Sequence, residues 1–302
     1  MEIGFALPVS GSWATAENII EIAGSAEALG YSSLWTFQRL LSPLGQDGSQ
    51  WLPPAYHSVL DPLAVLAFAA ARTTRVRLGV AVLNAPFLPP VILAKAAATI
   101  DRLSNGRLDL GLGLGWMPEE FAAVGASMDA RGPRLAEAIA ALDLLWSGTG
   151  AVGSDGHADT IGAVAAPAPL QRPRPPILLG GAAPAALRRA GRLADGWVSA
   201  STADLSTLGE SIGIVREAAR LAGRDPGSLR FVCRGVVKLR DSERGPLTGT
   251  VDDIRNDLAS IAAQGMTETF IDLNFDPEIG SPDADAERSM ERARHLLQEL
   301  AP

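Results

Sequence analysis

The chain has 302 residues, of which 47% are hydrophobic, and its formal net charge is −8. This length supplies one large core or two ordinary domains, and the acidic balance argues against nucleic acid or an anionic membrane as a partner, because both attract clustered Lys and Arg. The single cysteine, Cys233, excludes an internal disulfide and a cysteine-based metal cluster. No signal-peptide pattern opens the sequence, and no apolar run approaches the ~20 residues that cross a bilayer, so we expect a cytoplasmic protein.

In the first half of the chain, short apolar runs alternate with segments of helical periodicity. Strands are predicted at 2–8, 32–37, 75–85 and 107–115, and helices at 15–29, 61–72 and 89–104. Gly30 ends the first helix, while Asp61 and Pro62 provide the cap and the first residue of the second. The alternation then breaks, because a helix at 133–147 is followed by the Gly-, Ala- and Pro-rich residues 148–172, which are typical of an irregular loop or a small hairpin.

The second half returns to the alternation. Strands are predicted at 175–181, 195–201, 229–239 and 267–275, and helices at 184–193, 204–222, 250–265 and 284–300. Eight strands separated by helices predict parallel pairing, and eight repeats in about 300 residues favour a closed (β/α)8 TIM barrel over a doubly wound open sheet. No change in composition marks a second domain, so we predict one α/β domain over 1–302 with an insertion at about 116–174. The active site of such a barrel lies at the carboxyl ends of its strands.

The segment "RLDLGLGLGWMPEEF", residues 107–121, places Gly111, Gly113 and Gly115 at every second position of strand four. The spacing differs from the G-x-G-x-x-G pattern, which disfavours a nicotinamide dehydrogenase. For Gly111, a lack of space between barrel layers is at least as good an explanation as a role in ligand binding. Nearer the carboxyl end, bare backbone lets a flat ligand lie against the strand, and Trp116 either forms a wall of that pocket or anchors the core.

A second glycine pattern lies in "PPILLGGAAPAALRRAG", where a strand ends at Gly180 and Gly181 and a helix begins by Pro184. Free N–H groups at a helix N-terminus bind anions, and glycines let a phosphate approach the backbone. The alternative is an ordinary tight turn between strand and helix. Because phosphate sites are frequent on this face of (β/α)8 barrels, the pattern favours a phosphate site.

Four segments together resemble one known family, the luciferase-like monooxygenase superfamily. They are "IGFALP", "LSNGRLDLGLGLGWMPEEFAAVG", "RGPRLAEAIAALDLLW" and "PPILLGGAAPAALRRAGRLADGW". The sequence resembles the F420-dependent oxidoreductases of actinobacteria more than the FMN-dependent luciferases. The resemblance implies a (β/α)8 barrel that binds a deazaflavin, an obligate hydride carrier, at the carboxyl ends of its strands. Homodimers are common in this family, so a homodimer is expected.

The resemblance also implies positions around the cofactor. Gly180, Gly181, Ala183 and Pro184 would hold its phosphate, and Leu114, Gly115 and Glu119 match positions that line its ring and side chain. Asn84 matches a polar group that faces the ring, and a bulged strand three with a cis peptide at Ala81–Val82 would back the ring. The complete predicted cofactor site consists of Gln38, Arg39, Ala81, Val82, Asn84, Gly113, Leu114, Gly115, Trp116, Glu119, Gly180, Gly181, Ala183 and Pro184.

The sequence departs from the family where acid–base chemistry is expected. Many members carry Asp-His at the end of strand two, where this chain has Gln38 and Arg39. Trp116 and Ala203 stand where the sugar-phosphate dehydrogenases of the family have a catalytic Glu and a Lys that reads the sugar phosphate. A guanidinium stays protonated, so Arg39 either binds an anionic cofactor or substrate or forms a surface salt bridge. Without an imidazole–carboxylate pair, the chemistry shifts toward reduction, with hydride passing from reduced F420 to an activated C=C, C=N or nitro group.

The remaining candidates concern a small-molecule substrate. Tyr56 and His57 follow strand two on the active face and are proton-donor candidates, with a surface loop pair as the alternative. Trp13 and Trp51 either wall the substrate pocket or pack in the core. No metal site is predicted, because histidines are few and no ligand spacing is present. Two other functions stay open: an FMN-dependent monooxygenase that uses oxygen, and a barrel that binds deazaflavin without turnover.

Overall fold

A computed structural model describes residues 1–147 and 164–302, and within them eight parallel strands close into a barrel. The barrel strands are β1 (Glu2–Ala6), β2 (Ser33–Thr36), β3 (Arg77–Asn84), β4 (Leu108–Gly113), β5 (Ile177–Gly180), β6 (Gly196–Val198), β7 (Arg230–Val236) and β10 (Glu268–Asp272). Their order around the barrel is β1-β10-β7-β6-β5-β4-β3-β2. The predicted closed (β/α)8 barrel is confirmed, and the alternative prediction of an open doubly wound sheet is wrong.

Helices surround the barrel in the predicted order, with one additional short helix (Pro118–Ala123) in the segment predicted as an insertion. They are α1 (Ala16–Leu29), α2 (Pro62–Ala70), α3 (Pro90–Leu103), α4 (Pro118–Ala123), α5 (Arg131–Ser147), α6 (Pro184–Leu193), α7 (Leu208–Leu221), α8 (Val251–Ala263) and α9 (Ala286–Glu299). Two predicted boundaries have the expected chemistry: the Asp61 side chain accepts from the Ala64 N–H at 2.9 Å, and Gly30 ends α1 with φ +92°. Within the described ranges no helix is both long and apolar enough to cross a bilayer.

The predicted strand at 229–239 is too long. The chain leaves the barrel after β7, and β8 (Lys238–Leu239) pairs with β9 (Thr248–Gly249) in a separate two-stranded sheet. The physical reason is a change of backbone partner, since the Lys238 N–H donates to Leu247 O at 3.0 Å instead of continuing along β10. Of the segment 148–172, predicted as loop or hairpin, residues 148–163 lie outside the described part of the chain.

Two layers of side chains fill the lower part of the barrel interior. At the amino ends of the strands lies an ionic layer in which Asp109, fully buried, contacts Arg77 at 2.5 Å and Arg230 at 2.7 Å. Above it, Trp35 stacks on Phe270 with ring centroids 5.0 Å apart and fills the middle of the barrel. These two layers occupy the barrel interior below the carboxyl ends of the strands.

Cys233 is a buried residue of β7. Burial raises the pKa of its thiol to about 11, which leaves it protonated at neutral pH. The Ser199 hydroxyl lies 3.8 Å from its sulfur. This cysteine therefore has the environment of a structural residue of the barrel wall rather than that of a nucleophile.

Candidate active site

A cavity of about 640 Å³ opens at the carboxyl ends of the strands. Its volume is within the range of small-molecule sites, and its position is where (β/α)8 enzymes bind their ligands. It is lined by Phe37, Gln38, Arg39, Trp51, Leu52, Pro53, Tyr56, Ala81, Val82, Asn84, Gly113, Leu114, Gly115, Trp116, Gly180, Gly181, Ala186, Val198, Ser199, Ala200, Ser201, Thr202 and Arg234. Residues from β2 through β7 and the segments that follow them thus meet around one space.

The floor of the cavity is a bulge in β3. The pairing of β3 with β4 shifts register between Val80 and Leu83, and the peptide bond between Ala81 and Val82 is cis. Both features that the family resemblance implied for strand three are confirmed. The bulge brings two successive residues, Ala81 and Val82, to the cavity wall.

The alternating glycines of β4 make room for this bulge. A Cβ atom on Gly111 would lie 2.0 Å from the Val80 carbonyl oxygen, and one on Gly113 would lie 2.6 Å from Val82 Cγ2. The interpretation of Gly111 as a response to crowding is therefore confirmed. Gly113 fits both interpretations of the glycines: it leaves room for Val82, and it exposes bare backbone to the cavity.

Unpaired backbone N–H groups lie at the rim of the cavity, where β5 leads into α6. The N–H groups of Gly181, Ala182, Ala183 and Ala185 make no hydrogen bond within residues 1–147 and 164–302. Ala183 caps α6 without a side-chain bond, and the Trp197 indole N–H holds the turn by donating to Gly181 O at 2.8 Å. Several free donors at the positive end of a helix form a site for an anion.

Arg39 lies in the wall between two aromatic rings. Its guanidinium carbon is 4.6 Å from the centre of the Tyr56 ring and 4.9 Å from that of Trp116. Its Nη1 lies 3.0 Å from the Glu120 carboxylate and 3.2 Å from Met117 Sδ. Because the side chains of this ion pair are only 5% and 1% exposed, the interpretation as a surface salt bridge is wrong. Trp116, half exposed at the cavity, is not a core anchor.

Arg234 is a second cation in the wall, and sequence reasoning missed it. Its Nε donates to the Asp272 carboxylate at 2.7 Å, and its Nη1 donates to Ala81 O at 3.2 Å, which ties β7 to the bulge. The rings of Phe37 and Phe275 flank its guanidinium at 4.6 and 4.3 Å. The available signal was a single charged residue near the carboxyl end of an otherwise apolar strand, "FVCRGVV".

Neutral polar groups complete the lining. Gln38 accepts a hydrogen bond from the Asn84 N–H at 2.9 Å, which leaves its amide nitrogen available. The side chains of Asn84, Ser201 and Thr202 make no hydrogen bond to other described residues, although all three line the cavity. Ser201 and Thr202 follow β6 and were also missed, because hydroxyl residues after a strand are common in ordinary turns.

Most of the predicted site residues meet in this cavity. Those in its wall are Gln38, Arg39, Trp51, Tyr56, Ala81, Val82, Asn84, Gly113, Leu114, Gly115, Trp116, Gly180 and Gly181. Ala183 and Pro184 are not in the wall but are the cap and first residue of α6, exposed at its rim. Proximity does not by itself test their roles, which stay predictions.

Three predicted residues lie elsewhere. Trp13 is fully buried and packs in the core between barrel and helices, so it does not wall the pocket. His57 lies in the loop after β2, where its Nε2 is 2.6 Å from Leu52 O, and it does not line the cavity. Glu119 points to solvent, because the first turn of α4 directs its neighbour Glu120 inward to Arg39.

The described lining contains two arginines and no His, Cys, Asp, Glu or Lys. Within the described residues, no group of three or more potential metal-ligating side chains is assembled. The cavity can therefore bind anions and flat apolar groups and donate hydrogen bonds, but its lining offers no side chain suited to removing a proton at neutral pH.

The family model described as "Luciferase-like monooxygenase" matches residues 1–245. An uncharacterised protein of Mycobacterium tuberculosis is 33% identical over 236 residues, which cover 74% of this chain and 81% of that protein. The oxygenase component of the flavin-dependent trigonelline monooxygenase of Acinetobacter baylyi is 40% identical over 119 residues, which cover 39% of this chain and 33% of that protein.

Solved structures have the same architecture. The monooxygenase RslO1 from Streptomyces bottropensis superposes with a TM-score of 0.76 at 25% identity, covering 99% of this chain and 98% of that one. An F420-dependent secondary alcohol dehydrogenase in complex with an F420–acetone adduct superposes with a TM-score of 0.76 at 16% identity, covering 100% and 99%. The second likeness concerns the fold alone. Since the family pattern extends over residues 1–245, the chain belongs to the luciferase-like monooxygenase family of oxidoreductases.

Proposed function

We propose that the chain is an F420-dependent reductase, which passes hydride from reduced F420 to an activated C=C, C=N or nitro group of a small molecule. The observation that carries the proposal is the arrangement of the cavity. A bulged strand forms its floor, free N–H groups lie at its rim, and no base lines it. The likeness of the fold to an F420-dependent dehydrogenase supports the choice of cofactor.

The residues present fit a phosphorylated deazaflavin at three points. The free N–H groups of Gly181 and Ala182 suit its phosphate. The bare backbone of Gly113 and the side chain of Val82 offer a flat surface for its ring, and the unpaired amide of Asn84 can hydrogen-bond the ring edge. When bound, F420 would supply the hydride.

The lining favours reduction over alcohol oxidation. Oxidation of an alcohol needs a base for the hydroxyl proton, whereas reduction of an activated double bond needs a proton donor or solvent. The Tyr56 hydroxyl makes no hydrogen bond within the described part of the chain, and Arg39 stacks on its ring. We assign Tyr56 the donor role, since His57 lies outside the cavity wall.

A second candidate, an FMN-dependent monooxygenase that uses oxygen, is favoured by a different observation. RslO1, a monooxygenase, is 25% identical, more than the F420-dependent dehydrogenase at 16%. FMN also carries a phosphate and a flat ring, so the same N–H groups and floor would hold it. The homodimer implied by the family resemblance remains a prediction, which sedimentation analysis can test.

Anaerobic stopped-flow mixing tests the reaction. We expect reduced F420 bound to the protein to be oxidised by at least one of an enone, an imine or a nitroarene. In controls without protein, reduced F420 should not be oxidised by these acceptors. We expect Tyr56→Phe to slow this step about tenfold or more, because a positioned general acid contributes at least that much. Turnover only with FMN and oxygen would establish the second candidate, and F420 binding without oxidation by any acceptor would indicate a non-catalytic binder.

A further inference from the structure

The guanidinium of Arg39 has one unused edge. Its Nη1 is the atom that contacts Glu120 and Met117, at 3.0 and 3.2 Å. Its Nε is buried and has no hydrogen-bond partner, and its Nη2 makes no hydrogen bond within residues 1–147 and 164–302. The N–H groups of Nε and Nη2 point in parallel along one edge of the planar group, and that edge matches the two oxygens of a carboxylate.

The surroundings fix the orientation of this edge. Tyr56 and Trp116 lie against the guanidinium, and Glu120 is itself held by the N–H groups of Leu40 and Leu41 at 2.7 and 3.3 Å. Arg39 is 7% exposed and lines the cavity. Because the buried Nε has already lost its hydrating water, an oxygen ligand that reaches this edge gains a hydrogen bond without a further desolvation cost at that atom.

Arg39 also lies away from the site proposed for the phosphate. It follows β2, whereas the free N–H groups follow β5, and β3 and β4 lie between these two strands in the barrel. A cofactor with its phosphate at α6 and its ring on the bulge of β3 therefore leaves the β2 side of the cavity to a second ligand. Trp51, 54% exposed, and Trp116, 50% exposed, give that side aromatic walls.

We propose that Arg39 binds the carboxylate of the substrate side-on through Nε and Nη2, and that the substrate is a planar unsaturated or aromatic carboxylic acid. This inference rests on the proposed function, because it assigns the β2 side of the cavity to the hydride acceptor. The carboxylate is not altered in the reaction: it orients the acid, and the walls formed by Trp51 and Trp116 stack against its flat body.

Calorimetric titration with benzoate and benzamide, which differ in charge but hardly in shape, tests the inference. We expect benzoate to bind wild-type protein about tenfold or more tightly than benzamide, because a carboxylate offers Arg39 two charged acceptor oxygens, whereas benzamide offers one neutral oxygen and an NH2 group that cannot accept from the second guanidinium N–H. In the double variant Arg39→Gln, Glu120→Gln this preference should disappear. The second substitution avoids leaving the Glu120 carboxylate buried without its cation.

Arg72→Gln is the matched control, because Arg72 is exposed and lies in the turn before β3, at the opposite end of the barrel. It should keep the wild-type preference. Equal affinity of wild-type protein for the two probes, or a preference that persists in a folded double variant, would overturn the inference. F420 titration of the same samples separates the two proposals: failure to bind F420 contradicts the proposed function, whereas the benzoate preference reports on Arg39 with or without the cofactor.

Discussion

Gly113→Ala is expected to weaken F420 binding about tenfold to a hundredfold while the protein stays folded. The added Cβ would lie 2.6 Å from Val82 Cγ2, so Val82 has to move into the space where the ring is expected to lie. A tenfold to hundredfold loss of affinity equals about 1.4–2.7 kcal/mol, which lies within the ~1–3 kcal/mol that overpacking typically costs. Fluorescence titration of F420 measures the change, and circular dichroism checks the fold.

The partner substitution Val82→Ala makes this prediction specific. Because it removes Cγ2, Gly113→Ala should cost little when added to Val82→Ala, and the two effects should be clearly non-additive. Gly24→Ala is the control, since a Cβ on Gly24 in α1 would meet no atom within 4 Å. Additive losses in the double variant, or undiminished affinity in Gly113→Ala alone, would contradict a cofactor ring lying against the bulge.

Asp109→Ala should destabilise the protein by about 3–5 kcal/mol, the range for breaking a buried ion pair from one side. Asp109 is fully buried between Arg77 and Arg230, and its removal leaves two guanidinium groups facing each other beneath the aromatic layer of the barrel interior. Glu268, 2.9 Å from Arg230, can compensate only one of them. Burial also raises the pKa of the Glu268 carboxyl, which weakens it as a counter-ion.

Urea-induced unfolding, monitored by fluorescence, measures the loss of stability in Asp109→Ala. Asp241→Ala is the control, because Asp241 is exposed and its side chain makes no hydrogen bond to the described residues, so we expect a change within about 0.5 kcal/mol. An unfolding midpoint for Asp109→Ala equal to that of the control would show that the ionic layer contributes little to stability.

The helices and strands could be predicted because their signals are local. Asp61 caps α2, Gly30 ends α1, and each apolar run between helices is long enough for one strand. The end of β7 could not be predicted, since residues 229–239 are a continuous run with no turn signal inside it. Only the tertiary pairing of Lys238 with Leu247 reveals where the barrel strand stops.

The positions of the backbone segments in the candidate site could be predicted. The directions in which individual side chains point could not. The bulge at Ala81–Val82 was implied by the family resemblance, and the crowding at Gly111 was suggested by the spacing of the glycines. In contrast, Glu119 and Glu120 are adjacent carboxylates on one helical turn, and about 100° of rotation decides which one meets Arg39. Sequence reasoning chose Glu119, which faces solvent.

Arg234 illustrates a related problem. Strands of a parallel barrel are buried on both faces, so their sequences lack the alternation that would tell an inward residue from an outward one. Cys233 and Arg234 are neighbours on β7, yet only Arg234 lines the cavity. Trp13 and Trp51 show the same difficulty for loops, because an aromatic residue after a strand can turn into the core or toward the ligand.

Equilibrium titration of the purified protein with oxidised F420 and, separately, with FMN tests the central claim most directly. We predict saturable binding of one F420 per chain, with FMN at least about tenfold weaker, and F420 binding that is weakened about tenfold to a hundredfold in Gly113→Ala but unchanged in Gly24→Ala. Absence of F420 binding, or tight FMN binding that F420 does not displace, would contradict the assignment of this cavity to a deazaflavin.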